Sequence, residues 1–189
     1  MDKKLPGGQS IAEDFPVLHH GDIPVINLNE WRFEITGLVE EPYTLTYGEF
    51  TSLPGVKVTD DFHCVTGWSK TDVPWEGVPS ETILSLCRPK SEARFVMVHS
   101  YGDFSTNLRL DDFLGSNVLF AFRFYGKPLP PEYGGPLRLV VPKLYAWKSA
   151  KWVRGVEFMS EEKRGFWESR GYHIHGDPWK GEKYSEQEK

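Results

Sequence analysis

Glycine and proline punctuate this chain so densely that only short elements fit between them. The 189 residues include 18 glycines and 14 prolines. That density favours short strands and many turns over long helices. The longest apolar run, Val118-Leu119-Phe120-Ala121-Phe122, is strand-length, well short of the ~18 residues a membrane-spanning helix needs. Hydrophobic residues make up 39% of the chain and aromatics 14%, enough for a globular core. A length of 189 residues supports one sizeable core rather than two. The chain therefore reads as a single domain over 1–189, with loose polar ends at about 1–14 and 177–189.

Between the punctuation, hydrophobic periodicity assigns the elements. Trp31–Gly37 alternates with period two and ends in glycine, a strand. A turn and a short helix follow around Thr46–Phe50, stopped before Pro54, and then a strand over Val56–Thr59. Ser80 caps a helix over Glu81–Leu86. Arg94–His99, Asn117–Phe124, Leu137–Val141 and Trp152–Phe158 read as strands, and Ser160-Glu161-Glu162 opens a short helix reaching about Arg170. Helical and strand segments are mixed without regular alternation, which predicts an α+β fold with antiparallel or mixed sheets.

Charge and cysteine content narrow the function classes. The net charge is −5 and the 22 Lys and Arg residues are dispersed, so no basic surface argues for nucleic acid. Cys64 and Cys87 are the only cysteines. Two do not make a disulfide framework, although they could pair once. The opening Met1-Asp2-Lys3-Lys4 is polar and resembles no export signal. A soluble, cytoplasmic protein without a membrane partner is the expectation.

Three segments hold residues suited to chemistry. The first is Phe62-His63-Cys64-Val65-Thr66-Gly67-Trp68-Ser69. Cys64 reads either as a small buried apolar residue or as a soft thiolate ligand for a transition metal. Gly67 would let the backbone approach a bulky cofactor closely. Zinc, with Cys64, His63, His173 and His175 as donors, lacks paired ligands at short spacing. His173 and His175 read instead as exposed polar positions near the end of the chain. Nucleophilic cysteine catalysis has no sequence signature here. The second segment is Gly134-Gly135-Pro136-Leu137-Arg138, followed by Lys148-Ser149-Ala150-Lys151. Arg138 either faces solvent from a strand or, with Ser149 and Lys151, supplies the groups an anionic phosphate needs. The third ends in Gly171-Tyr172, and by itself Tyr172 reads as a packing residue with a polar tip.

The order and wording of these segments resemble the molybdopterin domain of the sulfite oxidase family, most closely its small haem-free members. Trp75-Glu76-Gly77-Val78 extends the likeness after Cys64, and Phe15–Pro24 is similar to the family's opening strand, so the match runs from about residue 15 to about 180. The resemblance implies a molybdenum–molybdopterin cofactor, no haem, and oxygen-atom transfer to or from a small oxo substrate. Electrons would pass to or from an external electron-transfer protein. It implies Cys64 as the protein thiolate on molybdenum and Tyr172 over the face where substrate binds. His19 and His20 would lie beside the pterin. His99 or Ser100 would make another pterin contact, and Tyr133, Arg138, Ser149 and Lys151 would hold the pterin and its phosphate. Sulfite-oxidising members carry an arginine five residues after the cysteine, where this chain has Ser69. That departure weakens the case for sulfite. A non-catalytic pterin- or partner-binding domain of the same fold is the alternative, with a zinc or cysteine hydrolase behind it.

Overall fold

The computed structural model describes residues 3–188. Its strands are β1 (Ser10–Ile11), β2 (Arg32–Gly37), β3 (Tyr43–Thr46), β4 (Val56–His63), β5 (Trp68–Pro79), β6 (Phe95–Ser100), β7 (Ser105–Arg109), β8 (Leu119–Phe124), β9 (Lys127–Pro128), β10 (Arg138–Val140) and β11 (Val153–Met159). Three short helices join them: α1 (Tyr47–Thr51), α2 (Ser80–Cys87) and α3 (Leu110–Phe113). The α+β expectation with mixed sheets holds.

The strands form two sheets. One runs β3-β2-β11-β6-β7, with β2 and β11 parallel and the other neighbours antiparallel. The other runs β1-β5-β8-β10, with β4 added to β5 and β9 to β8. Period two dictates what each strand buries. In β2 the side chains of Phe33 and Ile35 are fully buried while Arg32, Glu34 and Thr36 are exposed. They meet β8 across the core, where the Phe33 and Phe120 rings lie 5.2 Å apart.

Strand β8 is buried on both faces, which explains its uninterrupted apolar run. Phe120 joins the core between the sheets. Leu119, Ala121 and Phe124 join a second cluster on the opposite face, with Phe15, Phe62, Trp75 and Val140. Alternation along β10 puts Leu139 in the first core and Val140 in the second. Arg138 shares the Val140 face, and that face leads to the site.

Several expectations change. Residues 160–167 carry no helix, and only a single 3-10 turn forms, at Glu168–Arg170. The segment lies against β7 instead: the Phe166 N–H donates to the Ser105 carbonyl at 2.8 Å, and a Cβ on Gly165 would lie 2.5 Å from that same oxygen. Ser80 is the first residue of α2 rather than its cap, and its hydroxyl donates to the Phe113 carbonyl. Residues 15–24, expected as an opening strand, run extended without strand pairing. The N-terminal stretch is tied down where described, with Ser10 and Ile11 pairing in parallel with Trp68 and Ser69. The C-terminal tail is held too. Tyr172 and Tyr184 form an antiparallel bridge, and Glu188 pairs with Arg164 and accepts the Ile174 N–H. His173 and His175, expected to be exposed, are buried. His175 lies between two carboxylates, 3.0 Å from Asp112 Oδ2 and 2.7 Å from Glu182 Oε2.

Candidate active site

A cavity of about 350 Å³ opens beside the second apolar cluster. Cys64, Thr66, Arg138, Ser149, Lys151, His19, His20 and Tyr172 all line it, with Phe104, Thr106, Trp68, Trp147, Trp152 and Trp167 among the walls. Five separate stretches of chain thus converge on one space.

Cys64 enters from the tight connection between β4 and β5. Its N–H donates to the Trp68 carbonyl (2.8 Å), and the Gly67 N–H donates back to the Cys64 carbonyl (3.0 Å). Closing that turn takes Gly67 to φ +97°, a backbone state that glycine adopts without a steric cost. Gln9 adds a side-chain bond to the Cys64 carbonyl at 3.0 Å. Cys64 is 8% exposed, and its sulfur accepts a hydrogen bond from Thr66 Oγ1 at 3.1 Å. Cys87 is a separate free thiol buried in α2, which burial pushes up to about 11.

The opposite chemistry comes from Arg138 and Lys151. The Arg138 guanidinium is held between Phe62 and Trp75, 5.1 Å from each ring centroid. It donates to the carbonyls of Tyr133 (2.8 Å) and Ser149 (3.0 Å). Lys151 Nζ donates to the carbonyls of Leu18 (2.6 Å) and Glu132 (2.7 Å). Among the described residues neither cation has a carboxylate within ion-pair distance. Burial pulls Arg138 down to about 9, and burial with the nearby Arg138 charge pulls Lys151 to about 7. A buried arginine and a half-buried lysine, both compensated only by carbonyls, suit an anion between them. Gly134 and Gly135 permit the close packing here: a Cβ on Gly134 would lie 2.8 Å from Lys151 Cγ, and one on Gly135 2.1 Å from the Leu129 carbonyl oxygen.

Ser149 Oγ accepts the Val141 N–H at 2.9 Å, bracing the loop that carries Lys151. The exposed His19 ring bonds the Gly21 carbonyl through Nδ1 at 2.9 Å. His20 sits against Trp167 and Phe166, with ring centroids 5.6 and 5.9 Å away. Tyr172 packs between Trp147 and Trp167 at 5.1 and 5.3 Å. Burial, with Tyr184 and Cys64 nearby, raises its phenol, so the hydroxyl stays protonated at neutral pH.

Three expected site residues lie off the cavity wall. His99 is on β6 in the other sheet and bonds Glu157 at 3.0 Å. Ser100, next to it, is buried beside the turn to β7. From this sheet edge Ser105 and Thr106 of β7 reach the cavity instead. The Tyr133 ring packs on Phe15 and Phe124, its hydroxyl donates to the Phe15 carbonyl, and its own carbonyl serves Arg138. It contributes to the cavity only by holding the Arg138 guanidinium through its backbone. Ser69 is fully buried behind the cysteine turn, donating to Gln9 and bonded to His63. Of the two tryptophans near Cys64 in the sequence that could wall off water, Trp68 lines the cavity and Trp75 does not. Sequence reasoning missed Phe104, Thr106, Trp147, Trp152 and Trp167, because no local pattern separates a wall residue from a core one. It also missed a buried ion pair behind the wall, Lys148 Nζ to Glu168 Oε1 at 2.7 Å.

The donor set also narrows the chemistry. Among the described residues, no three His, Cys, Asp or Glu side chains gather as a metal-binding group. A protein-only zinc site, which needs three or four such ligands, therefore has no support. The indole N–H groups of Trp68 and Trp147 are buried on the cavity wall without a partner among the described residues. Buried donors of this kind call for acceptors on whatever fills the space.

Known proteins place the chain in context. It is 43% identical over 183 residues to the uncharacterized oxidoreductase YuiH of Bacillus subtilis (strain 168), covering 96% of this chain and 92% of that one. It is 32% identical over 160 residues to the protein-methionine-sulfoxide reductase catalytic subunit MsrP of Campylobacter jejuni, covering 76% of this chain. The aligned part spans about half of that subunit, 54% of its length. Among solved structures, the sulfane dehydrogenase SoxCD from Paracoccus pantotrophus superposes with a TM-score of 0.69 over 76% of this chain and 41% of that one. At 22% identity this likeness shows the fold alone. The model of the oxidoreductase molybdopterin-binding domain matches residues 20–167, and the chain belongs to that family of molybdopterin-dependent oxidoreductases.

Proposed function

We propose that this oxidoreductase transfers an oxygen atom to or from a small neutral substrate, with an S-oxide as the first candidate. The observation that carries the reading is one cavity with a thiol on one wall and, on another, two cations that have carbonyls but no carboxylate for partners among the described residues. The residues fit a molybdopterin cofactor. Cys64 offers the soft donor a transition metal takes. Arg138 and Lys151 offer charge for its phosphate, with Ser149 bracing their loop. His19, His20 and the unpartnered indole donors of Trp68 and Trp147 offer polar contacts to a pterin. When bound, the cofactor supplies a two-electron metal centre competent for oxygen-atom transfer, with electrons exchanged with an external redox protein.

The chain's own groups orient and select. Tyr172, held neutral and clamped between two indoles, can donate one hydrogen bond to a substrate oxygen. The rings around it exclude water and present an apolar wall. Ser69 supplies no charge there, and the two cations on the wall sit at the phosphate end. A substrate site without a spare cation favours a neutral oxide over an oxyanion such as sulfite. The methionine-sulfoxide chemistry in the name of the similar MsrP subunit points the same way.

Protein produced with molybdate is expected to contain about one molybdenum and one pterin per chain, and to reduce an alkyl sulfoxide with reduced viologen as electron donor. Cys64→Ala is expected to abolish turnover. Full activity in that variant would remove Cys64 from the metal. A protein free of molybdenum and pterin from a host able to make the cofactor would favour the non-catalytic alternative.

A further inference from the structure

The cysteine turn holds a group that the proposed chemistry does not yet use. Thr66, two residues beyond Cys64, turns its hydroxyl back to the sulfur, with Oγ1 3.1 Å from Sγ. Thr66 also lines the cavity. The turn fixes this arrangement from both sides: Cys64 N–H to the Trp68 carbonyl, and Gly67 N–H to the Cys64 carbonyl. Gln9 anchors the same carbonyl from β1's side at 3.0 Å. The backbone is thus braced at three points, and among the described residues the side-chain donor on the sulfur is the Thr66 hydroxyl. A hydrogen bond to a metal-bound thiolate withdraws electron density from sulfur, and so from the metal.

We propose that Thr66 is a positioning residue that tunes the molybdenum centre through the Cys64 sulfur, raising its reduction potential. The inference rests on Cys64 being the metal ligand. Its logic is electrostatic. Reduction adds electron density to the metal–thiolate unit, and a donor on the sulfur stabilises the more electron-rich state. The bond also fixes the sulfur's orientation in the cavity, as outer-shell partners do for other metal ligands.

The test compares Thr66→Val, which keeps the shape and deletes the donor, with Thr66→Ser, which keeps the donor. Metal content is measured first, then the midpoint potential by EPR-monitored redox titration and the energy of the thiolate-to-metal absorption band. In the loaded Thr66→Val protein the potential is expected to move negative and the band to lower energy, with Thr66→Ser close to the parent in both. An unchanged potential and band in a fully loaded Thr66→Val protein would overturn the inference while leaving Cys64 as ligand. If Thr66→Val does not retain metal, a Thr66→Ser protein whose potential and band depart from the parent as far as an alanine variant's would overturn it equally. Loss of the ligand assignment itself would appear separately, as parental metal content and an unchanged absorption band in Cys64→Ala.

Discussion

Arg138 shows how one side chain can hold two meanings until the fold is known. An arginine in an apolar strand usually turns to solvent, and period two permits that. Here the strand is covered on both faces, so the guanidinium is trapped between Phe62 and Trp75 with carbonyls as its only partners. Charge-assisted bonds to an anion are worth ~1.5–3 kcal/mol. Arg138→Ala is therefore expected to lower cofactor affinity roughly 10- to 100-fold, read as less molybdenum and pterin per chain than in the parent. Lys151 adds a pH dependence. Burial and Arg138 hold it near 7 without an anion, and a bound phosphate raises it by charge pairing. Binding then takes up a proton, so affinity is full below pH 7 and falls as pH rises above it. Titration of cofactor-free protein with pyrophosphate at several pH values checks this, and Lys151→Arg is expected to flatten the slope. The same lowered value means the unfolded chain binds more protons between about 7 and the ordinary lysine value of 10.5. Lys151 thus makes the cofactor-free fold more stable as pH rises through that window.

Two buried polar contacts tie the elements that build the cavity. Lys148, fully buried, donates to Asn107 on β7 at 2.9 Å and to the Ile174 carbonyl, and pairs with Glu168 at 2.7 Å. Thr106 donates to the same Glu168 oxygen at 2.7 Å. Three stretches that carry wall residues are pinned at one point. Lys148→Met would strand the Glu168 charge, at a cost of ~3–5 kcal/mol in denaturant unfolding. The double variant Lys148→Met/Glu168→Leu is expected to recover most of it. The second contact is His175 between Asp112 of α3 and Glu182 of the tail, with Lys143 also on Asp112 at 2.7 Å and His173 and Lys180 beside Glu182. The Asp112 bond raises His175 against its burial, and Glu182 adds to that. Burial pushes Asp112 up, but bonds from His175 and Lys143 outweigh it and hold it near 2. The His175 contribution is full below about 6.5, its unfolded value, and is lost as pH rises through the raised folded value. The Asp112 contribution is full above 3.8 and is lost as pH falls towards 2. Thermal melts of His175→Gln are expected to lose the alkaline part of this dependence. None of this was legible locally: Lys148 reads as one charge in a basic cluster, and the histidines as polar residues near a chain end.

The two-sheet body makes the site a product of long-range closure. Cys64 and Tyr172 are over a hundred positions apart, yet line one cavity. A ligand that binds only the closed form stabilises the whole fold by mass action. Cofactor-loaded protein is therefore expected to melt higher than cofactor-free protein by roughly 2–4 °C for each kcal/mol of linkage in a chain of this size. Equal melting temperatures at saturating cofactor would contradict a site formed by the native body alone. Much of this architecture was already written in the order of residues. Alternation in β2 named its buried face, Gly and Pro bounded the strands, and the segments around Cys64, Arg138 and Tyr172 identified the family and most of its cavity residues. Local steric rules and short-range patterns suffice for those. What residue order left open was which face of β10 Arg138 takes, that His99 and Tyr133 stand off the wall, that the chain at Gly165 and Phe166 bonds to β7 rather than coiling into a helix, and that buried ion pairs brace the cavity from behind. These follow from sheet pairing and burial between residues far apart in the chain, and such contacts exist only once the two sheets have closed over their cores.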